Sequence, residues 1–166
     1  LKFVLIFFLF THSLAEELQI NSSEVKLDKK KSELLLKGNI KAQDEKNNIL
    51  FAEEANYDKK KDFLQSKGET KIITSQNYII NSKNVKFDNK KKVIESSFPT
   101  LIIDPDGNEI SVEMFNYNSI ENILFSRGNI SLKDKNTNVF RFSESYIDQN
   151  KRKIIGSDAK LFFNDK

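Results

Sequence analysis

The sequence predicts an all-β fold, antiparallel hairpins curled into an open, flattened roll, and three observations predict it. The first is a repeat. The pieces VKLDKK at 25–30, ANYDKK at 55–60, VKFDNK at 85–90, FNYNSI at 115–120 and SYIDQN at 145–150 place Asp28, Asp58, Asp88, Asn118 and Asp148 thirty residues apart. A second marker trails the first by ten residues: Lys37-Gly38, Lys67-Gly68 and Arg127-Gly128, with Phe98 in the slot of the third copy. A fixed period of this size marks stacked copies of one supersecondary unit, none of which buries its apolar face alone.

The second observation is alternation. Leu34, Leu36, Gly38, Ile40 and Ala42 share one parity, as do Leu64 to Ile72, Ile94 to Ile102 and Leu124 to Leu132, whereas Lys37, Lys41, Lys67, Lys71, Arg127 and Lys133 take the other. A period of two with one greasy and one lysine-rich face is a half-buried antiparallel strand. The third is arithmetic: thirty is even, so every copy keeps the same facing and the apolar sides form one wall.

Taken in order, the chain begins with LKFVLIFFLFTHSLA. Lys2 supplies a positive flank, Phe3 to Phe10 an apolar run, and Ser13-Leu14-Ala15 the small residues of a cleavage site, so residues 1–15 read as a secretory signal peptide. The run is far short of the roughly 20 apolar residues that a spanning helix needs. Residues 16–166 are then a single domain. Each copy opens on a polar turn, lysine-loaded in all but the fourth, in which the recurrent Asp at 28, 58, 88 and 148 reads as an Asx-type turn former. Glycine midway along a strand marks a bulge or bend, so Gly38, Gly68 and Gly128 predict that the long strands bend at one height. Phe98, followed by Pro99, departs from that pattern.

The returning halves, ILFAEEANYD at 49–58, YIINSKNVKFD at 78–88, EISVEMFNYN at 109–118 and VFRFSESYID at 139–148, keep parity less well, and a bulge is expected inside each. Polar turns join the halves. Asp104-Pro105-Asp106-Gly107 is one, by the preset φ of Pro and the tolerance of Gly for positive φ; the ligand spacing of a calcium loop is missing. In the last copy Gly156 follows Asp148 by eight residues instead of ten, which reads as a shortened copy. Ala159, Leu161 and Phe163 then share a parity, so the chain ends in an apolar strand and a continuation beyond Lys166 is expected.

Composition narrows the function. The charge is only +3 and the charges are interspersed, so there is no basic stripe for nucleic acid. An exported chain without cysteine holds together by burial and backbone pairing. The one histidine, His12, lies in the signal peptide, which leaves no imidazole base, thiolate or usual zinc ligand set. No G-x-S-x-G, S-x-x-K or glycine-rich phosphate loop appears. Enzymatic function is not expected, nor is a cofactor or a metal.

FAEEANYDKKKDFLQSKGETKI at 51–72, INSKNVKFDNKK at 80–91 and FSRGNISLKD at 125–134, behind an export signal and without cysteine, resemble the OstA-like periplasmic domain of the lipopolysaccharide transport family. Two kinds of member look similar, the small soluble bridge protein LptA and the N-terminal domain of the outer-membrane assembly protein LptD, and the apolar ending favours the second. The resemblance implies a twisted antiparallel β-jellyroll, open along one side, that binds the acyl chains of lipid A in the periplasm and passes lipopolysaccharide to the outer membrane. It also implies partners: further jellyroll proteins joined by edge strands, and the outer membrane through a C-terminal barrel. The groove is expected to be lined by Leu36, Ile40, Tyr57, Leu64, Ile72, Val85, Phe87, Ile94, Phe98, Ile102, Phe115, Leu124, Ile130 and Leu132. The competing reading is a structural β-repeat, such as a solenoid adhesin, whose interior is filled by its own side chains.

Overall fold

Alternation this regular leaves each strand one face to bury, and the protein buries it by folding a single sheet over on itself. The computed structural model describes residues 17–28 and 33–163. The predicted signal peptide, residues 1–15, lies outside the described residues. Fifteen strands form one antiparallel sheet. Five are continuous: β3 (Glu33–Gln43), β4 (Ile49–Asp58), β5 (Phe63–Ile73), β12 (Ile123–Lys133) and β13 (Val139–Asp148). The rest are long strands broken in the middle: β1 (Gln19–Asn21) with β2 (Glu24–Asp28), β6 (Ile79–Lys83) with β7 (Lys86–Asp88), β8 (Val93–Ser96) with β9 (Thr100–Ile103), β10 (Glu109–Val112) with β11 (Phe115–Asn118), and β14 (Lys153–Ser157) with β15 (Lys160–Phe162). Counted as wholes they make a meander of ten long strands, each antiparallel to the next.

The breaks lie at one height. Register slips between Lys37 and Ile40 on β3, Ala52 and Glu54 on β4, and Arg127 and Ile130 on β12. Asn84, at φ 49°, separates β6 from β7. Gly38 and Gly128 have φ of 73° and 105°, a region that costs a residue with a Cβ, and a Cβ on Gly128 would also strike the Glu113 carboxylate. The bends predicted from the glycines are therefore present, and so is the bulge inside ILFAEEANYD.

Two details correct the sequence reading. The third copy bends by interruption, with β8 ending at Ser96 and β9 starting at Thr100, and Phe98 is thrown outward to 42% exposure instead of lining the interior. The last copy is not shortened. Its break falls at Asp158 (φ 53°), thirty residues after Gly128, whereas Gly156 serves another purpose: a Cβ there would collide with the Phe142 ring.

Folding along this line creates two half-sheets. Half I carries β1, β6, β9, β10 and β15 and the turns 44–48, 74–78, 104–108 and 134–138. Half II carries β2, β7, β8, β11 and β14 and the turns 59–62, 89–92, 119–122 and 149–152. The continuous strands run through both. The turns of the two halves meet: Lys46 Nζ donates to the Ile120 carbonyl at 3.2 Å, and Thr74 Oγ1 to Gln149 Oε1 at 2.9 Å. One long side of this jellyroll is thus closed by bends and the other by a seam of turns. Among the described residues no ladder joins β1 and β2 to β14 and β15, so the roll keeps two free edges. The strands are antiparallel throughout, which is not the parallel stacking of a solenoid.

Candidate functional site

Cross-strand pairing strings the inward residues into two rows that run the length of the roll. In half I the row is Ile20, Ala42, Leu50, Ile72, Ile80, Ile102, Ile110, Leu132, Phe140 and Leu161. In half II it is Leu27, Leu34, Tyr57, Leu64, Phe87, Ile94, Tyr117, Leu124, Ile147 and Ile154. Apart from two tyrosine hydroxyls neither row contains a polar side chain. At about 4.8 Å between strands each row extends roughly 40 Å. A third line beside the bends uses small residues, among them Ser66, Ser96, Ser126 and Ser145, all buried, which leaves room for the sheet to turn.

Of the fourteen residues expected to line a groove, Leu36, Ile40, Tyr57, Leu64, Ile72, Val85, Phe87, Ile94, Ile102, Phe115, Leu124 and Ile130 lie together in one core, none more than 5% exposed. Leu132 is partly buried at its margin, and Phe98 is outside. The interior between the halves is filled by these side chains. Among the described residues its inward face is exposed at the two ends. Val25 and Leu27 pair with Leu36 and Leu34 on the inward face yet are 57% and 60% exposed, and at the other end Leu161 and Phe163 are 51% and 68% exposed.

The seam is built by one position of the repeat. Asp62, Lys92, Asn122 and Arg152 stand thirty residues apart, each the last residue of a half II turn and each at positive φ. Asp62 Oδ1 accepts from the Leu18 N–H at 3.2 Å and the Tyr57 hydroxyl at 2.8 Å. Lys92 pairs with Glu45 at 3.2 Å. Asn122 Oδ1 lies 2.7 Å from the Tyr117 hydroxyl and accepts from Ser75 Oγ at 3.3 Å, and Tyr117 also reaches Asn48 Oδ1 at 3.2 Å. Arg152 faces Asp106 at 3.6 Å. Burial raises the Tyr57 hydroxyl well above the usual tyrosine range, with Asp62 adding to it, and burial pushes Tyr117 up to about 12.

Sequence reading missed this column because its chemistry changes in every copy. A paired signal was present: the residue five earlier is Tyr57 before Asp62 and Tyr117 before Asn122, but Phe87 before Lys92 and Ile147 before Arg152. A hydroxyl donor stands only where the turn offers an acceptor. Among the described residues no group of three His, Cys, Asp or Glu side chains is placed to hold a metal.

Comparison with known proteins gives one family match. The profile described as "Lipopolysaccharide-assembly, LptC-related" matches residues 2–96, more than half of the chain. A search of curated proteins finds no match. Among solved structures, LptH, described as the LptA homologous periplasmic component of the conserved lipopolysaccharide transport device from Pseudomonas aeruginosa, aligns over 90% of this chain and 96% of its own at 10% identity, with a TM-score of 0.37.

Proposed function

Because the chain belongs to the LptC-related lipopolysaccharide-assembly family, we propose that it is a periplasmic conduit that holds lipopolysaccharide by its acyl chains and passes it toward the outer membrane. The two unbroken apolar rows carry this reading, since the half II row is exposed where it ends at Leu27 and the half I row where it ends at Leu161. A self-contained core would be capped there by polar side chains or a closing strand. Each buried methylene contributes about 0.8 kcal/mol, so a chain of a dozen carbons is held by about 10 kcal/mol and does not leave for water. Transfer into a second roll with the same lining exchanges like for like and is nearly neutral. Direction must then come from an energy source outside this chain.

The free edges supply the joint. β1 and β2 at one end, β14 and β15 at the other, offer unpaired main-chain groups to a neighbouring roll, whose strand would extend both rows. The task is carriage rather than catalysis, in keeping with the family. Photo-crosslinking side chains at Leu36, Phe87, Ile102 and Leu124 should capture lipopolysaccharide in cells. Capture only at outward lysine positions such as Lys67 and Lys71 would refute an internal path.

The filled interior favours a second reading, a structural module whose core is its own. Mass spectrometry of lipid extracted from the purified protein separates the two, because only the conduit retains an amphiphile.

A further inference from the structure

We propose that Ser126 and Ser145 form a polar reading site inside the apolar interior, one that selects amphiphiles whose chain carries an oxygen, as a hydroxyl or an ester or amide carbonyl, close to the head. This rests on the conduit reading and adds a chemical requirement to a lining that would otherwise take any alkyl chain.

Six serines are buried among the described residues: Ser66, Ser82, Ser96, Ser119, Ser126 and Ser145. Four of them serve the frame. Ser66 Oγ accepts from the Val85 N–H at 2.8 Å and lies 2.7 Å from Thr70 Oγ1, and Ser82 Oγ lies 2.8 Å from Thr100 Oγ1. Ser96 Oγ donates to the Lys83 carbonyl at 2.6 Å and Ser119 Oγ to the Lys92 carbonyl at 3.2 Å. Val85 lies in the break between β6 and β7 and Lys83 at its margin, so Ser66 and Ser96 bond main-chain groups beside an interruption.

Ser126 and Ser145 have no such duty. They stand opposite each other on the unbroken strands β12 and β13, are 0% and 1% exposed, and neither Oγ has a hydrogen-bond partner. Buried hydroxyls are ordinarily bonded, and leaving one unbonded costs free energy that an alanine of nearly the same volume avoids. Ala55 fills the same inward line on the unbroken strand β4, where it pairs with Ser66. Two adjacent hydroxyls kept at that cost point to an oxygen that arrives with the guest.

Their place says which part of the guest they meet. Ser145 pairs with Gly156 on β14, which is exposed, and next to it the core thins to the partly buried Ile154. Ser145 and Ser126 are therefore roughly 5 and 10 Å in from the edge strand. Three small residues in succession, Ser126, Ser145 and Gly156, leave a chain its room. The Phe142 ring, packed where a Gly156 Cβ would stand and itself only partly buried, is the side chain that yields. A chain lying along this line with its head at the exposed end brings its first carbons to the pair. A serine hydroxyl donates to a carbonyl oxygen and either donates to or accepts from a hydroxyl, whereas a methylene leaves both serines unbonded.

Calorimetric binding of tetradecanoic acid and of its 3-hydroxy derivative to the full chain, each below its micellar concentration, tests the site. The hydroxy acid should bind about tenfold more tightly. In Ser126→Ala with Ser145→Ala that preference should fall below about twofold while the plain acid binds as before. Equal binding of the two acids by the unchanged protein, or a preference that survives the double substitution, overturns the site and leaves the conduit standing. Binding of neither acid refutes the conduit and the site with it. Thermal melts give a reading without lipid: the double substitution should leave Tm unchanged or raise it, whereas Ser66→Ala lowers it. A comparable fall in both would mean that the two hydroxyls already hold an ordered water, and overturns the site.

Discussion

The middle of the roll and its C-terminal end are made from the same repeat and meet opposite fates. On β5 the inward residues Leu64 and Ile72 are fully buried; three copies later, on β14, β15 and just past it, Ile154 is half-buried and Leu161 and Phe163 are exposed. Alternation is equally good in both. The difference is what lies across: in the middle each half-sheet faces the other, whereas among the described residues the cover thins at Ile154 and is gone at Leu161 and Phe163. In this fold a strand's sequence decides which face is apolar, and the fold line decides whether that face becomes a core or an adhesive edge. The outer surface follows the same division. Phe125 and Tyr146 stack at 4.9 Å and Tyr146 pairs in register with Ile155, an apolar outer row found where the sheet runs out.

The sharpest way to break this comparison is a matched pair of truncations. Phe87→Ala should cost about 3–5 kcal/mol by urea denaturation, and Phe163→Ala less than about 0.5 kcal/mol. Similar values would mean that the end is packed after all. Next, Leu27→Arg or Leu161→Arg should leave stability nearly unchanged yet abolish association with a neighbouring roll in a pull-down, since each charge sits in a row that a partner strand would extend. Unchanged association would locate the joint elsewhere.

A smaller effect is expected at the seam. Tyr117→Phe removes a hydroxyl shared between Asn122 and Asn48 and should cost about 1–2 kcal/mol. The same hydroxyl sets a pH dependence. Its folded pKa of about 12 exceeds the ordinary value of 10.0, so its contribution is complete below pH 10 and is lost as pH rises toward 12. Thermal melts from pH 9 to 12 should show a decline that Tyr117→Phe reduces; an identical decline in the variant would assign it to Tyr57 or Tyr78. The smallest effect is in acid. Asp58 is held below its ordinary value by the Lys61 side chain, and Asp148 by the Lys151 backbone N–H, so both favour folding above pH 4 and lose that contribution as pH falls further. Asp148→Asn should flatten the acid limb of a stability profile only slightly.

Much of this was legible in the sequence. The repeat gave the hairpins, parity gave the inward faces, and Gly38, Gly68 and Gly128 gave the fold line. Phe98 was misplaced because parity was carried through an interruption that Pro99 enforces. Gly156 was misread because a glycine needed for close approach to Phe142 looks the same in sequence as one needed for a bend. The seam and the filled interior were out of reach for another reason. Both depend on how far the sheet twists before its halves meet, which joins residues such as Ser75 and Asn122 that no local pattern connects. The degenerate repeat pointed to lipopolysaccharide transport but not to the LptC-related branch.

The turns of half II are stitched to one another by peptide atoms, from the carbonyls of Asp62, Lys92 and Asn122, so the line of turns does not rest only on the side chains at those positions, although Asp62 and Asn122 also bond the next turn. Acid, base and amide follow one another there without disturbing the line of turns. A lineage can therefore retune each fastening separately, or lengthen the protein by whole thirty-residue modules, while its geometry is inherited intact.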